Sequence, residues 1–105
     1  MHIQVNTDSS ITGGEGLVAH VSGVVAGALD RFTSRVSRVE VHLSDENGDK
    51  TGHDDKRCLL EARVDGQAPS VVTHHGNTVD EAVTGATHKM RRVLDTTFAK
   101  LSSHR

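Results

Sequence analysis

The sequence predicts an α+β fold, a four-stranded sheet with two helices packed on one face, in the order β-α-β-β-β-α. Three observations predict it. Four short segments alternate apolar and polar residues with the period of a strand, and two longer ones repeat apolar residues every three to four positions, as helices do. Each helix carries one apolar stripe and each strand one apolar side, so both helices should cover the same sheet face and leave the other open. The 105 residues form one domain, 1–105, with enough chain for one two-layer core and no linker or internal repeat.

Met1 to Asn6 alternates, with Ile3 and Val5 on one side, and reads as the first strand. Thr12-Gly13-Gly14-Glu15 has the spacing of a capping box, in which Thr caps the helix and Glu reaches back. The following helix carries Leu17, Val21, Val24, Val25, Ala28, Leu29 and Phe32 at helical spacing, and Gly23 and Gly27 within it would permit close approach to the sheet. From Ser37 to Ser44, Val39, Val41 and Leu43 face in, while Arg38, Glu40 and His42 face out. A Gly- and Asp-rich loop runs from Asp45 to Asp55. The next strand, Lys56 to Asp65, turns Cys58, Leu60, Ala62 and Val64 inward; Asp65-Gly66-Gln67 is a turn, and Ser70 to His75 is the last strand. Thr78-Val79-Asp80-Glu81 is a second capping box, opening a helix from about Thr78 to Leu101 with acids at its positive end. The expected open sheet face carries Arg38, Glu40, His42, Arg57, Glu61 and Arg63.

Composition narrows the function. Phe32 and Phe98 are the only aromatic residues, which argues against reading single-stranded bases by stacking. No apolar run approaches the roughly 20 residues that span a bilayer. Met1 to Val5 lacks the regions of a secretory signal, and the lone Cys58 cannot form an intrachain disulfide, so the cytosol is the expected compartment and no membrane partner is expected. The net charge is −2, but it is unevenly spread. Asp45 to Asp55 holds five acids and one base, whereas His88 to Arg105 holds five bases and one acid, Asp95. One end of the fold is therefore able to attract phosphate.

Catalytic and metal motifs fail on spacing. Counted from Asp45, a calcium loop would need Gly at its sixth position and Glu at its twelfth; Lys50 and Lys56 stand there. The eight histidines show no HExxH or Cys-His spacing, and His74 and His75, adjacent on a strand, point to opposite faces. His42 on the open face approaching a histidine of the last strand is the best remaining metal candidate, and no metal or cofactor is expected. Cys58 alternates with core residues and lacks the exposed, electropositive setting of a reactive thiolate. The serine pairs lack a neighbouring base, and Gly13-Gly14-x-Gly16 lacks the Lys-Ser/Thr of a phosphate loop. The chain reads as a binding protein, not an enzyme.

The final helix carries the clue to what is bound. Beside its apolar stripe (Val79, Ala82, Val83, Ala86, Met90, Val93, Leu94, Leu101) lie His88, Lys89, Arg91 and Arg92. A few bases towards a helix C-terminus also suit the helix dipole. Leu29-Asp30-Arg31-Phe32, then Val36, then Val39-Glu40-Val41-His42-Leu43-Ser44, together with Ala82-Val83 and Lys89-Met90-Arg91-Arg92-Val93-Leu94, resembles the ribosome hibernation-promoting factor and ribosome-associated translation inhibitor family in its short, single-domain form. The resemblance spans nearly the whole chain.

The resemblance implies a sheet-and-two-helix domain related to double-stranded RNA-binding folds. It also implies binding to the small ribosomal subunit in the channel used by messenger and transfer RNA, blocking translation when growth slows. Lys89 and Arg92 match the family's basic positions on the second helix, and Arg31 one near the end of the first, as contacts to 16S ribosomal RNA. His88 and Arg91 are added from helix geometry, as neighbours on the same exposed side. Three departures stand out: Asp95-Thr96-Thr97 occupies a turn that is often basic, the first helix has no Lys or Arg before Asp30, and the acidic loop is longer. Fewer phosphate contacts mean weaker, less salt-sensitive binding, unless a ribosomal protein meets the Asp45–Asp55 loop. The rival reading is a protein-interaction or self-associating module without RNA binding, its dimer joined through Arg57, Glu61 and Arg63 on the open face.

Overall fold

A computed structural model describes residues 1–46 and 55–103. The elements are β1 (His2–Thr7), α1 (Gly14–Ala28), β2 (Val36–Asp45), β3 (Lys56–Val64), β4 (Ser70–Gly76) and α2 (Val79–Ser103), with a 3-10 turn at Asp30–Phe32 after α1. The order is the expected one. The strands lie side by side in sequence order, β1 parallel to β2 and the other neighbours antiparallel. Both helices pack on one face, α1 against β1 and α2, and α2 against β3 and β4.

Register explains the two faces. Val39 pairs with Ala62, Val41 with Leu60 and Leu43 with Cys58, and paired residues point the same way. Those side chains meet Val21, Val25, Leu29 and Phe32 from the α1 side and Ala82, Val83, Ala86, Met90 and Leu94 from α2, all buried. On the other face, Arg38 pairs with Arg63 and Glu40 with Glu61. Leu59 stands among these polar residues half-buried, and Val71 is the one large apolar side chain among the described residues that is exposed.

Close approach sets the seat of α2. A Cβ built on Gly76 would lie 2.7 Å from Glu81 Cβ and 2.8 Å from the Ala82 backbone nitrogen, so the last residue of β4 must be bare for the helix to start there. Farther along, the His74 ring fills the space over Gly85, where a Cβ would lie 2.0 Å from its Cδ2. Gly23 and Gly27 do the opposite of what was expected: both are exposed and would meet nothing within 4 Å. The apolar stripe of α1 turns them outward.

The two capping boxes differ. At α2 the Glu81 N–H donates to Thr78 Oγ1 at 3.1 Å, and the Glu81 carboxylate accepts from the Asn77 N–H at 2.8 Å, one residue earlier than expected. At α1 the box does not form. Gly13 is the N-cap, its φ of 129° is accessible to glycine, and no side chain caps the helix.

Cys58 is fully buried, as its alternation predicts, and burial pushes its thiol up to about 12 against a small opposing effect of Arg57. It is expected to resist a disulfide thiol reagent at pH 8 in the native protein and to react fully in denaturant. Stoichiometric labelling of folded protein would contradict this.

Candidate nucleic-acid interface

The strand directions separate the charges. β2 starts beside Arg35 and ends at Asp45, a span of about 30 Å at the rise of a strand. α1 and α2 both return from the Asp45 end of the sheet to the Arg35 end, so their acid-bearing first turns (Glu15; Asp80 and Glu81) lie at the acidic end. The bases of α2 from His88 to Lys100 lie towards the other.

At that basic end, His88, Arg91, Arg92 and Asp95 recur at three- and four-residue spacing on α2, opposite the stripe buried by Ala86, Met90 and Leu94. Arg31, from the turn after α1, completes an open cleft of about 260 Å³ lined by Arg31, His88, Arg91, Arg92 and Asp95. Arg31 donates to Asp95 Oδ2 at 2.5 Å, with both side chains more than half exposed. Among the described residues, His88, Arg91 and Arg92 have no acid within ion-pair distance. Arg92 also lines a neighbouring depression with Val93, Thr96, Thr97 and Lys100, so the basic surface continues down the helix.

An aromatic joint holds the cleft's two walls. Phe32 and Phe98 place their rings 5.6 Å apart, locking the end of α1 to the last turns of α2. The Arg31 guanidinium lies 4.7 Å from the Phe32 ring centre and that of Arg35 lies 4.5 Å from Phe98's. Arg35 is a further base at this end that sequence reasoning missed. Its only signal was a base four residues after Arg31, and its pairing with a ring 63 positions away is invisible to local spacing.

Lys89 stands apart from the other four. It does not share their exposed side, because its Nζ donates to the Thr73 carbonyl oxygen at 2.8 Å across the β4 edge. One helical position turns it from the cleft to the sheet. The structure therefore brings together Arg31, His88, Arg91 and Arg92, and directs Lys89 elsewhere.

The acidic end is built around Lys56, which donates to Asp45 at 3.1 Å and to Asp55 at 3.2 Å, while the Glu46 N–H donates to the Asp55 carbonyl oxygen. Most of the Asp45–Asp55 loop lies outside the described residues, and with it the expected contact to a ribosomal protein. Hydrogen bonds to Asp45 first and Asp55 second hold the Lys56 ammonium above its ordinary pKa of 10.5. A raised lysine stabilises the fold in full below the unfolded value and loses that contribution as pH rises through the folded one. The difference in unfolding free energy between the parent and Lys56→Met is thus expected to stay level from neutral pH up to about pH 10 and then shrink. A difference that grows above pH 10 would contradict the assignment.

On the open face, the charges invoked for a dimer find partners in their own chain: Arg63 with Glu61 at 3.7 Å and Arg57 with Glu46 at 3.5 Å. The proposed histidine pair does not assemble. His42 pairs with Leu59, which pairs with Thr73, whereas His75 lies one row over opposite Arg57, with its Nε2 3.1 Å from Glu46. Among the described residues no group of three or more His, Cys, Asp or Glu side chains is placed to hold a metal ion. No helix among them is long and apolar enough to cross a membrane.

Fold and site together define a small α+β domain, a mixed four-stranded sheet covered on one face by two helices, with a basic cleft where the turn after α1 meets the middle of α2. Solved structures share that fold over nearly the whole chain. A ribosomal subunit interface protein from Coxiella burnetii matches with a TM-score of 0.70 at 14% identity, over 94% of this chain and 99% of that one. The N-terminal domain of Protein Y from Thermus thermophilus matches with a TM-score of 0.70 at 14% identity, over 92% of this chain and 99% of that one. No protein-family model matches the sequence, and no curated protein matches it.

Proposed function

We propose that this domain is a ribosome-associated, non-enzymatic factor. In this reading it binds 16S ribosomal RNA of the small subunit near the channel for messenger and transfer RNA, inhibits translation and stabilises idle ribosomes under stress. The carrying observation is a fold shared, over nearly the full length of both chains, with a ribosomal subunit interface protein. The cleft of Arg31, His88, Arg91 and Arg92 supplies the complementary chemistry, a cluster of bases in which Arg91 and Arg92 have no acid partner among the described residues. Phosphate contacts position such a protein without reading sequence, and each one adds to the salt dependence.

Sedimentation of purified small subunits with the untagged protein, across a salt series, tests the reading. Co-sedimentation that weakens steadily with salt is expected, along with reduced translation in a reconstituted system. A protein that stays in the supernatant at low salt would sink the proposal. It would leave the rival reading, a protein-interaction module, to be tested by self-association.

A further inference from the structure

We propose that Asp95 is a resident competitor for phosphate in the basic cleft, setting its affinity by neutralising Arg31. The inference rests on the reading that this cleft takes RNA phosphate, and it assigns the control of that binding to one carboxylate.

The geometry carries it. Arg31 is clamped between the Phe32 ring, 4.7 Å from its guanidinium carbon, and the Asp95 carboxylate at 2.5 Å. One of the guanidinium's donor edges is thus occupied by an anion of the protein itself. An incoming phosphate oxygen needs the same kind of donor edge and must either displace Asp95 or accept a neutralised arginine. Asp95 also lies one turn beyond Arg91 and Arg92 on the same side of α2, so its field opposes phosphate at their donors as well. With His88 neutral, the formal charge of the cleft is +2, three arginines against one aspartate, and it would be +3 without the carboxylate.

Nothing in the fold demands an acid at this position. Aspartate is a poor residue for the interior of a helix, and an ion pair with both side chains more than half exposed adds little to stability. A phosphate competitor held beside three arginines keeps binding weak and reversible, which suits a factor that must leave its RNA when conditions change.

The test is fluorescence anisotropy with a labelled 20-nucleotide oligo(U), measured at several salt concentrations for the parent, D95N, D95E, R31A and R31A/D95N. Removing one negative charge several ångströms from a bound phosphate should tighten binding about three- to tenfold at low salt. Freeing Arg31 adds one phosphate contact, so the slope of log affinity against log salt should steepen by about 0.7. D95E should behave as the parent; R31A, which leaves the Asp95 carboxylate unpaired, should weaken binding about three- to tenfold at low salt with the parent's salt slope; and R31A/D95N should lose the steeper slope. A merely structural role for Asp95 would not move the salt slope. Equal or weaker binding by D95N, an unchanged slope, or no oligo(U) binding by either protein overturns the inference. Co-sedimentation with small subunits is measured in parallel: its loss with the oligo(U) response intact would sink the ribosomal reading alone.

Discussion

Reversing the charge of Arg91 and Arg92 together is expected to weaken association with small ribosomal subunits about 100-fold or more at 0.1 M salt. Both side chains are exposed and neither has an acid partner among the described residues, so the exchange to glutamate breaks no ion pair of the folded state. It turns the formal charge of the cleft from +2 to −2. Two phosphate contacts disappear and two repulsions replace them, each worth about 1 kcal/mol or more in a partly solvated site. Removing Arg57 and Arg63 from the open face as a glutamine pair should leave binding within about threefold, since those bases stand on the opposite side of the sheet from the helices. Lys89→Ala should also cost little, because its amine is engaged by Thr73. Sedimentation across a salt series measures all three. A charge-reversed protein with a native circular dichroism spectrum and undiminished binding would show that the ligand lies elsewhere.

Gly76→Ala should destabilise the fold by about 1–3 kcal/mol, the usual range for overpacking, and lower Tm by roughly 5–20 °C for a chain of this size. The new methyl group would meet Glu81 Cβ at 2.7 Å and the Ala82 backbone nitrogen at 2.8 Å. Backbone cannot swing aside as a side chain can, so the first turn of α2 would have to lift from the end of β4. That movement also disturbs the carboxylate of Glu81, which accepts from the Asn77 N–H. The same substitution at Gly23, exposed and with nothing within 4 Å, should instead stabilise by about 0.5–1 kcal/mol through helix propensity. Thermal and urea unfolding of the two variants reads out both signs. Equal stability of Gly76→Ala and the parent would mean that β4 and α2 are not joined this tightly.

Most of the architecture was legible because periodicity is a local property that solvent enforces. Val39, Val41 and Leu43 announce a strand with one dry face, and Ala82, Val83, Ala86, Met90 and Leu94 a helix with one dry stripe, whatever their partners are. The second capping box was equally local. The first one failed because two glycines in its middle allow a backbone path that Thr12-to-Glu15 spacing cannot foresee. Gly23 and Gly27 were misjudged for a related reason. A glycine inside a helix signals either close packing or indifference, and only the neighbour above it tells which.

The candidate site divides in the same way. Helical spacing was enough to group His88, Arg91 and Arg92, since residues three and four apart share a side. It did not separate Lys89, because a long side chain reaches whatever acceptor lies within its length, and the Thr73 carbonyl belongs to a strand 16 residues earlier. Nor did it show that Arg31 and Asp95, 64 positions apart, would pair in one cleft, or that Arg35 would lie on Phe98. The sequence by itself determined the elements, their dry faces and the separation of acidic from basic segments, all of which follow from patterning against water. The tertiary structure alone decided which bases face solvent together and which are neutralised at home. Those pairings depend on where the turn after α1 and the edge of β4 meet α2, and that is set by packing across the whole core.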